Sequence, residues 1–189
     1  EATAILAGDA LQTLAFAVLS DSDWHALSPA VRLNMLNVLA NASGSVGLAG
    51  GQVLDLNMIL QDPTLETLAA MHRCKTGALI EAAVLMGGLC ATDDSATLAC
   101  LKSYAQPLGL AFQVIDDVLD GTGDTDTLGK PAGADQERGQ PTFLSILGEA
   151  PARQYAEELK DQAIDALGDL EMDTALLVDL AQFTVSRSH

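Results

Sequence analysis

Aromatic side chains make up only 4% of this 189-residue chain, and Lys and Arg together number nine. The first scarcity excludes a core built on large rings. The second argues against nucleic acid as a partner, because a phosphate backbone is bound by clustered Lys and Arg. It argues equally against stable attachment to an anionic membrane surface. Asp and Glu number 26, for a formal net charge of −17, so an anionic ligand needs metal ions or the few cations to offset this field. Cysteine is also sparse: Cys74, Cys90 and Cys100 are odd in number and show no CxxC spacing. They read as free thiols of a reducing cytosol and not a disulfide framework, with Cys74 and Cys90 serving helix packing. Strand-like alternation, hairpin turns, repeats and low-complexity tracts are missing, and no signal peptide is visible.

What is present is aliphatic. Hydrophobic residues reach 49%, mostly Ala, Leu, Val and Met, which suits closely approaching helices. The expected class is all-α, in one domain over residues 1–189. The most apolar stretch, 2–19, contains Asp9, Gln12 and Thr13. A central Asp costs about 2.5–3.5 kcal/mol in a bilayer, so this reads as a buried helix and not a membrane span. Asp9 itself reads as one end of a satisfied interhelical hydrogen bond. Residue 1 is Glu and the helical pattern starts at once, so an upstream part of a longer protein is expected.

The punctuation predicts helices at 2–20, from Ser28-Pro29 through to 59, a short one from Asp62-Pro63, then 67–91, 97–119 with Pro107 bending it, 141–147, 152–167 and 173–186. Gly44, Gly47, Gly50 and Gly51 mark a close helix approach or a kink. Residues 121–139 read as a polar loop.

The most informative segment is Gln113-Val114-Ile115-Asp116-Asp117-Val118-Leu119-Asp120. Three- and four-residue spacings gather Asp116, Asp117 and Asp120 on one side of a helix, with Gln113 one turn back. Like charges repel there, and the C-terminal end of a helix dipole favours cations instead. An exposed acidic stop is the plain alternative, but the apolar flanks favour a hard divalent cation held by carboxylates and phosphate oxygens. The scarce cations then carry information. Arg73 and Lys75 flank Cys74, Thr76 adds a hydroxyl, and Lys130 and Arg138 lie in the loop after the aspartates. Metal on one side and ammonium groups on the other suit a diphosphate. The run from Gly123 to Gly129-Lys130 is not a Walker loop, because its spacing is too long and Pro131 follows; a loop that closes over a diphosphate fits better. Gln52 and Asp55 sit one turn apart on an apolar helix and read either as an interhelical hydrogen bond or as site residues. His25, His72 and His189 lack metal-ligand spacing and read as structural or exposed.

Taken together, Gly50-Gly51-Gln52-Val53-Leu54-Asp55, His72-Arg73-Cys74-Lys75-Thr76-Gly77, Phe112-Gln113-Val114-Ile115-Asp116-Asp117-Val118-Leu119-Asp120, and Leu128-Gly129-Lys130 with Gly133-Ala134-Asp135 resemble the trans-prenyltransferases (polyprenyl synthetases), and among these the bacterial farnesyl diphosphate synthases. The resemblance spans nearly the whole chain. It implies an isoprenoid-synthase-type helical bundle around a deep apolar cavity, a cytoplasmic homodimer, and Mg²⁺ (or Mn²⁺) as cofactor. It implies condensation of dimethylallyl or geranyl diphosphate with isopentenyl diphosphate through a carbocation. Asp116, Asp117 and Asp120 would hold metal, Lys75 and Lys130 would grip the allylic diphosphate, Thr76 and Gln113 would face the cation, and Gln52 and Asp135 would touch substrate. The family's first aspartate motif, DDxxxxD, has no match here, since Asp21-Ser22-Asp23 and Asp93-Asp94 differ in spacing; Gln140 stands where many members carry a second lysine. The chain alone is therefore expected to be inactive, as the C-terminal two-thirds of the enzyme. A geranylgeranyl diphosphate synthase or an inactive subunit is the alternative. A class I terpene cyclase fits less well, because its DDxxD comes early.

Overall fold

The computed structural model describes residues 1–21, 27–58, 63–122 and 140–188. Among the described residues every regular element is helical. The elements are α1 (Ala2–Ser20), α2 (Pro29–Ser43), α3 (Leu48–Met58), α4 (Leu65–His72), a π-helical turn (Arg73–Gly77), α5 (Ala78–Ala91), α6 (Ser95–Thr122), α7 (Phe143–Leu147), α8 (Glu149–Ala166) and α9 (Ala175–Ser186).

Local chemistry explains most boundaries. Ser28 caps α2 by accepting from the Val31 N–H, with Pro29 in the first turn as the sequence predicts. Thr64 caps α4 in the same way. Thr142 and Ser145 form a reciprocal capping box on α7. Gly148 joins α7 to α8 at φ 80°, a conformation that L side chains resist. Pro151 falls in the first turn of α8, where no backbone donor is lost, so this helix starts earlier than predicted. The helix expected from Ser28 to residue 59 is instead broken after Ser43. A turn through 44–47 separates α2 from α3.

Helix α6 is the axis of the bundle. Leu110, Val114, Ile115 and Val118 are buried against Leu68, Met71 and Phe143. Ala152, Ala156 and Ala163 line α8 with no exposed surface, at four- and seven-residue spacing. Such small side chains let α8 lie close along α6. Tyr104 on α6 donates its hydroxyl to the Leu177 carbonyl at 2.7 Å, tying in the loop end of α9.

Two stretches, Ala2–Ser20 and Leu65–Ala91, are long and apolar enough to cross a bilayer by length and composition. The sequence reading of α1 as buried is corrected: none of its residues is buried. Its principal neighbour is α2, whose Arg32 closes the end of α1 by donating to the Ser20 and Asp21 carbonyls at 3.2 and 2.6 Å. Ile5, Leu6, Leu11 and Leu14 remain more than half exposed.

Two other helices approach the π turn closely. A Cβ at Gly51 of α3 would lie 2.3 Å from the Lys75 backbone nitrogen, and one at Gly109 of α6 would lie 2.9 Å from the Gly77 Cα. Glycine is required at both because backbone meets backbone. Gly51→Ala is therefore expected to destabilise the complete protein by about 1–3 kcal/mol. Gly87→Ala, which meets open space on α5, is expected to stabilise it by about 0.5–1 kcal/mol. Urea midpoints of the two variants check the pair.

His72, read beforehand as structural or exposed, is buried with its ring 5.5 Å from that of Phe143. Its Nδ1 is buried and has no hydrogen-bond partner among the described residues. Burial, and then the charge of Lys75, push its pKa from 6.5 down to about 4, against the opposing pull of Asp55. Between those values the unfolded chain binds a proton that the folded chain does not. Stability should therefore rise with pH across this window, by up to about 3 kcal/mol in all. Denaturant unfolding of His72→Leu at several pH values should show a shallower slope there than the wild type.

Candidate active site

The π turn widens the helix between α4 and α5 and presents Lys75 and Thr76 toward α3 and α6. π turns often occur at functional sites because they re-aim side chains. Lys75 Nζ lies 2.6 Å from Asp55 Oδ2 on α3. Asp55 is 5% exposed, so its charge demands a close cation. Gln140 Nε2 donates to the same oxygen at 3.3 Å. Gln140 thus shares with Lys75 the carboxylate of Asp55.

A second chain of bonds starts at Thr76. Its hydroxyl donates to Gln113 Oε1 at 2.9 Å, and Gln113 Nε2 donates to Asp117 Oδ1 at 2.8 Å. Asp117 Oδ2 accepts from the Phe143 N–H at 2.8 Å. The Gln113 amide is thus fixed in orientation, with its oxygen toward the hydroxyl and its NH₂ toward the carboxylate. One line of hydrogen bonds links the π turn, α6 and α7.

The three acids are not equivalent. Asp117 and Asp120 are buried, while the Asp116 side chain is 42% exposed. The sequence argument asked a metal to offset all three charges. The structure offsets Asp117 with two N–H donors and Asp116 with Arg187, whose Nη2 lies 3.5 Å away. Among the described residues no three His, Cys, Asp or Glu side chains converge as a ready metal cage. Mg²⁺ does not require one, since it keeps waters and commonly uses one or two carboxylates plus phosphate oxygens. The all-oxygen, partly solvated donor set fits that ion.

Beside this cluster lies a cavity of about 480 Å³. Leu79, Ile80, Leu108, Phe112 and Leu180 make its walls apolar, and Lys75 and Thr76 stand at its edge. The arrangement suits an amphiphile with an anionic head and a hydrocarbon tail. A cavity of about 460 Å³ on the Arg73 and Cys74 side of the π turn does not reach the acidic cluster.

Of the residues singled out from sequence, Lys75, Thr76, Gln113 and Asp117 are brought together, with Asp116 and Asp120 along the same helix end. Gln52 is exposed on α3. Lys130 and Asp135 lie outside the described residues. One residue was left undecided and one was missed. Asp55 was left open, although a lone acid in Val53-Leu54-Asp55-Leu56 signals a buried charge in need of a partner. Arg187 went unnoticed, although so few basic residues made each worth placing.

Comparison with known proteins identifies the family. The polyprenyl synthetase family model matches residues 1–173. The chain is 48% identical to farnesyl diphosphate synthase of Escherichia coli over 100% of its own length and 64% of that protein. It is 40% identical to the Haemophilus influenzae farnesyl diphosphate synthase, covering 99% of this chain and 63% of that one. A crystal structure of a Helicobacter pylori geranyltransferase complexed with magnesium and isoprenyl diphosphate superposes with a TM-score of 0.84 at 31% identity, covering 98% of this chain and 60% of that one. The chain thus spans under two-thirds of the length of these relatives. Matched along nearly all of its own length by both sequence and fold, it belongs to the polyprenyl synthetase family.

Proposed function

We propose that the complete protein is a short-chain trans-prenyl diphosphate synthase. It joins dimethylallyl or geranyl diphosphate to isopentenyl diphosphate and forms farnesyl diphosphate. The observation that carries this reading is the placement of Lys75 and Thr76, each fixed by a bond across helices, at the edge of an apolar cavity beside an acidic helix end. Residues 1–189 form one isoprenoid-synthase domain in this reading, acting as a cytoplasmic homodimer. The uncovered apolar surface of α1 supports association with a second copy.

In the reaction, the allylic C–O bond ionises, the double bond of isopentenyl diphosphate attacks the resulting carbocation, and a proton is lost. Asp116 and Asp120, with Asp117 behind them, would hold Mg²⁺, which would supply positive charge to the departing diphosphate. The magnesium and isoprenyl diphosphate of the Helicobacter pylori geranyltransferase support this assignment. Lys75 provides a second positive charge, held in place by Asp55. Thr76 gives its proton to Gln113, so the lone pairs of its oxygen are left to face developing positive charge in the cavity, and Gln113 holds that orientation. The cavity walls exclude water, which would quench the cation. Lys130, Gln52 and Asp135 contribute further substrate contacts.

Asp55→Asn and Lys75→Ala in the complete protein should each lower kcat/KM for the allylic substrate by about 10²-fold or more while helical circular dichroism is kept. A rate within a factor of a few of wild type for Lys75→Ala refutes its role. Chelation of divalent ions should abolish product formation, and Mg²⁺ or Mn²⁺ should restore it; turnover that persists in excess EDTA rules out the metal assignment.

A further inference from the structure

The C-terminal end of the chain is fastened to the acidic end of α6. Arg187 follows α9 directly, yet its side chain is only 11% exposed. Its guanidinium lies 4.3 Å from the centre of the Phe112 ring and donates to the Phe112 carbonyl at 3.1 Å. It stands 3.5 Å from Asp116 Oδ1. A planar guanidinium can stack on a ring and face a carboxylate at the same time. Phe112 lines the apolar cavity, as does Thr184 on the turn of α9 before Arg187. The clasp therefore ties the wall that α9 contributes to the helix that carries the aspartates.

We propose that Arg187 is a built-in counter-cation for Asp116, holding this carboxylate until a divalent metal ion takes it, and that metal loading thereby loosens the C-terminal end of α9. This rests on the reading of Asp116 as a metal ligand. At 3.5 Å the pair exceeds ordinary hydrogen-bond length, so it is a charge contact more than a directed bond. A hard divalent ion coordinates a carboxylate oxygen directly and carries twice the charge, so it wins the oxygen. With the ion shared by Asp116 and Asp120, its two charges neutralise theirs, so Arg187 faces a neutral group where it had faced an anion. The attraction is lost, and only the ring and the carbonyl retain the side chain. Coupling of this kind is reciprocal: whatever the metal does to the clasp, the clasp does to metal affinity.

Mn²⁺ binding to the complete protein without substrate, read by the electron paramagnetic resonance of the free ion, tests the charge competition. Amide hydrogen exchange over residues 184–188 tests the clasp. Arg187→Gln should tighten Mn²⁺ binding about fivefold and make exchange fast with or without metal. Arg187→Lys, which keeps the charge, should stay within about twofold of wild type in affinity. In the wild type, saturating Mn²⁺ should speed exchange at these amides. Equal affinity in the wild type and Arg187→Gln, tightening by Arg187→Lys equal to that by Arg187→Gln, or wild-type exchange that ignores metal overturns the proposal. Asp116→Asn separates the two readings. If it weakens Mn²⁺ binding by tenfold or more while Arg187→Gln changes nothing, the metal assignment stands and the clasp falls. If it leaves Mn²⁺ binding intact, the metal assignment itself falls.

Discussion

The Gln113 side chain can serve Thr76 and Asp117 at once only if the π turn and α6 lie within one side chain of each other. That approach exists because glycine stands at 51 and 109, where α3 and α6 meet the backbone of the π turn at Lys75 and Gly77. A methyl group at Gly51 or Gly109 would push a helix away and lengthen every bond across the junction. The bonds from Thr76 to Gln113 and from Gln113 to Asp117 measure 2.9 and 2.8 Å, so little displacement can be absorbed before they fail. The glycine contacts thus set the chemistry, although no glycine takes part in it.

The same junction places the one positive charge described at the cavity edge. Burying Asp55 without a partner would carry a large desolvation penalty, and Lys75 at 2.6 Å removes it. The pair is asymmetric: Asp55 is enclosed, while Lys75 keeps 31% of its side-chain surface. An ammonium has three N–H donors, and Asp55 takes one of them. Lys75 is therefore restrained by a buried anchor while its outer side faces the cavity. A longer-range attraction to an anionic head would be wasted in a chain of net charge −17 unless a cation were held in this way.

Much of this was legible in the sequence, and what was not has physical causes. Cap residues announced α2, and the Asp116–Asp117–Asp120 spacing announced a polar side on a buried helix, because both signals are local. The π turn was not legible. Residues 73–77 carry no sequence mark that separates a widened turn from an ordinary one, and the widening arises from the backbones packed on both sides. The pairing of Asp55 with Lys75 joins residues twenty positions apart on different elements, so only tertiary structure reveals which acid meets which base. The glycine run was read as a close approach or a kink; it divides into a break after Ser43, where Gly44, Gly47 and Gly50 meet the backbone of the same turn, and a close contact with the π turn at Gly51. The exposure of α1 was misread because an apolar helix is the same sequence whether its cover comes from its own chain or from elsewhere.

The aspartates at the end of α6 show how a fold can tolerate crowded acids and still leave them useful. Asp117 accepts two N–H bonds from Gln113 and Phe143, both fixed by packed elements, so its geometry hardly changes whatever binds nearby. Asp116 is held instead by a guanidinium at charge-contact distance and remains partly in water. A carboxylate held by directed N–H donors at 2.8 Å gives them up at greater cost than one paired with a cation at charge-contact distance. In the proposed reading, Asp116 is the carboxylate of the second kind that a metal ion would use, set on a scaffold of the first. The division of labour between Asp117 and Asp116 provides both within one helical turn.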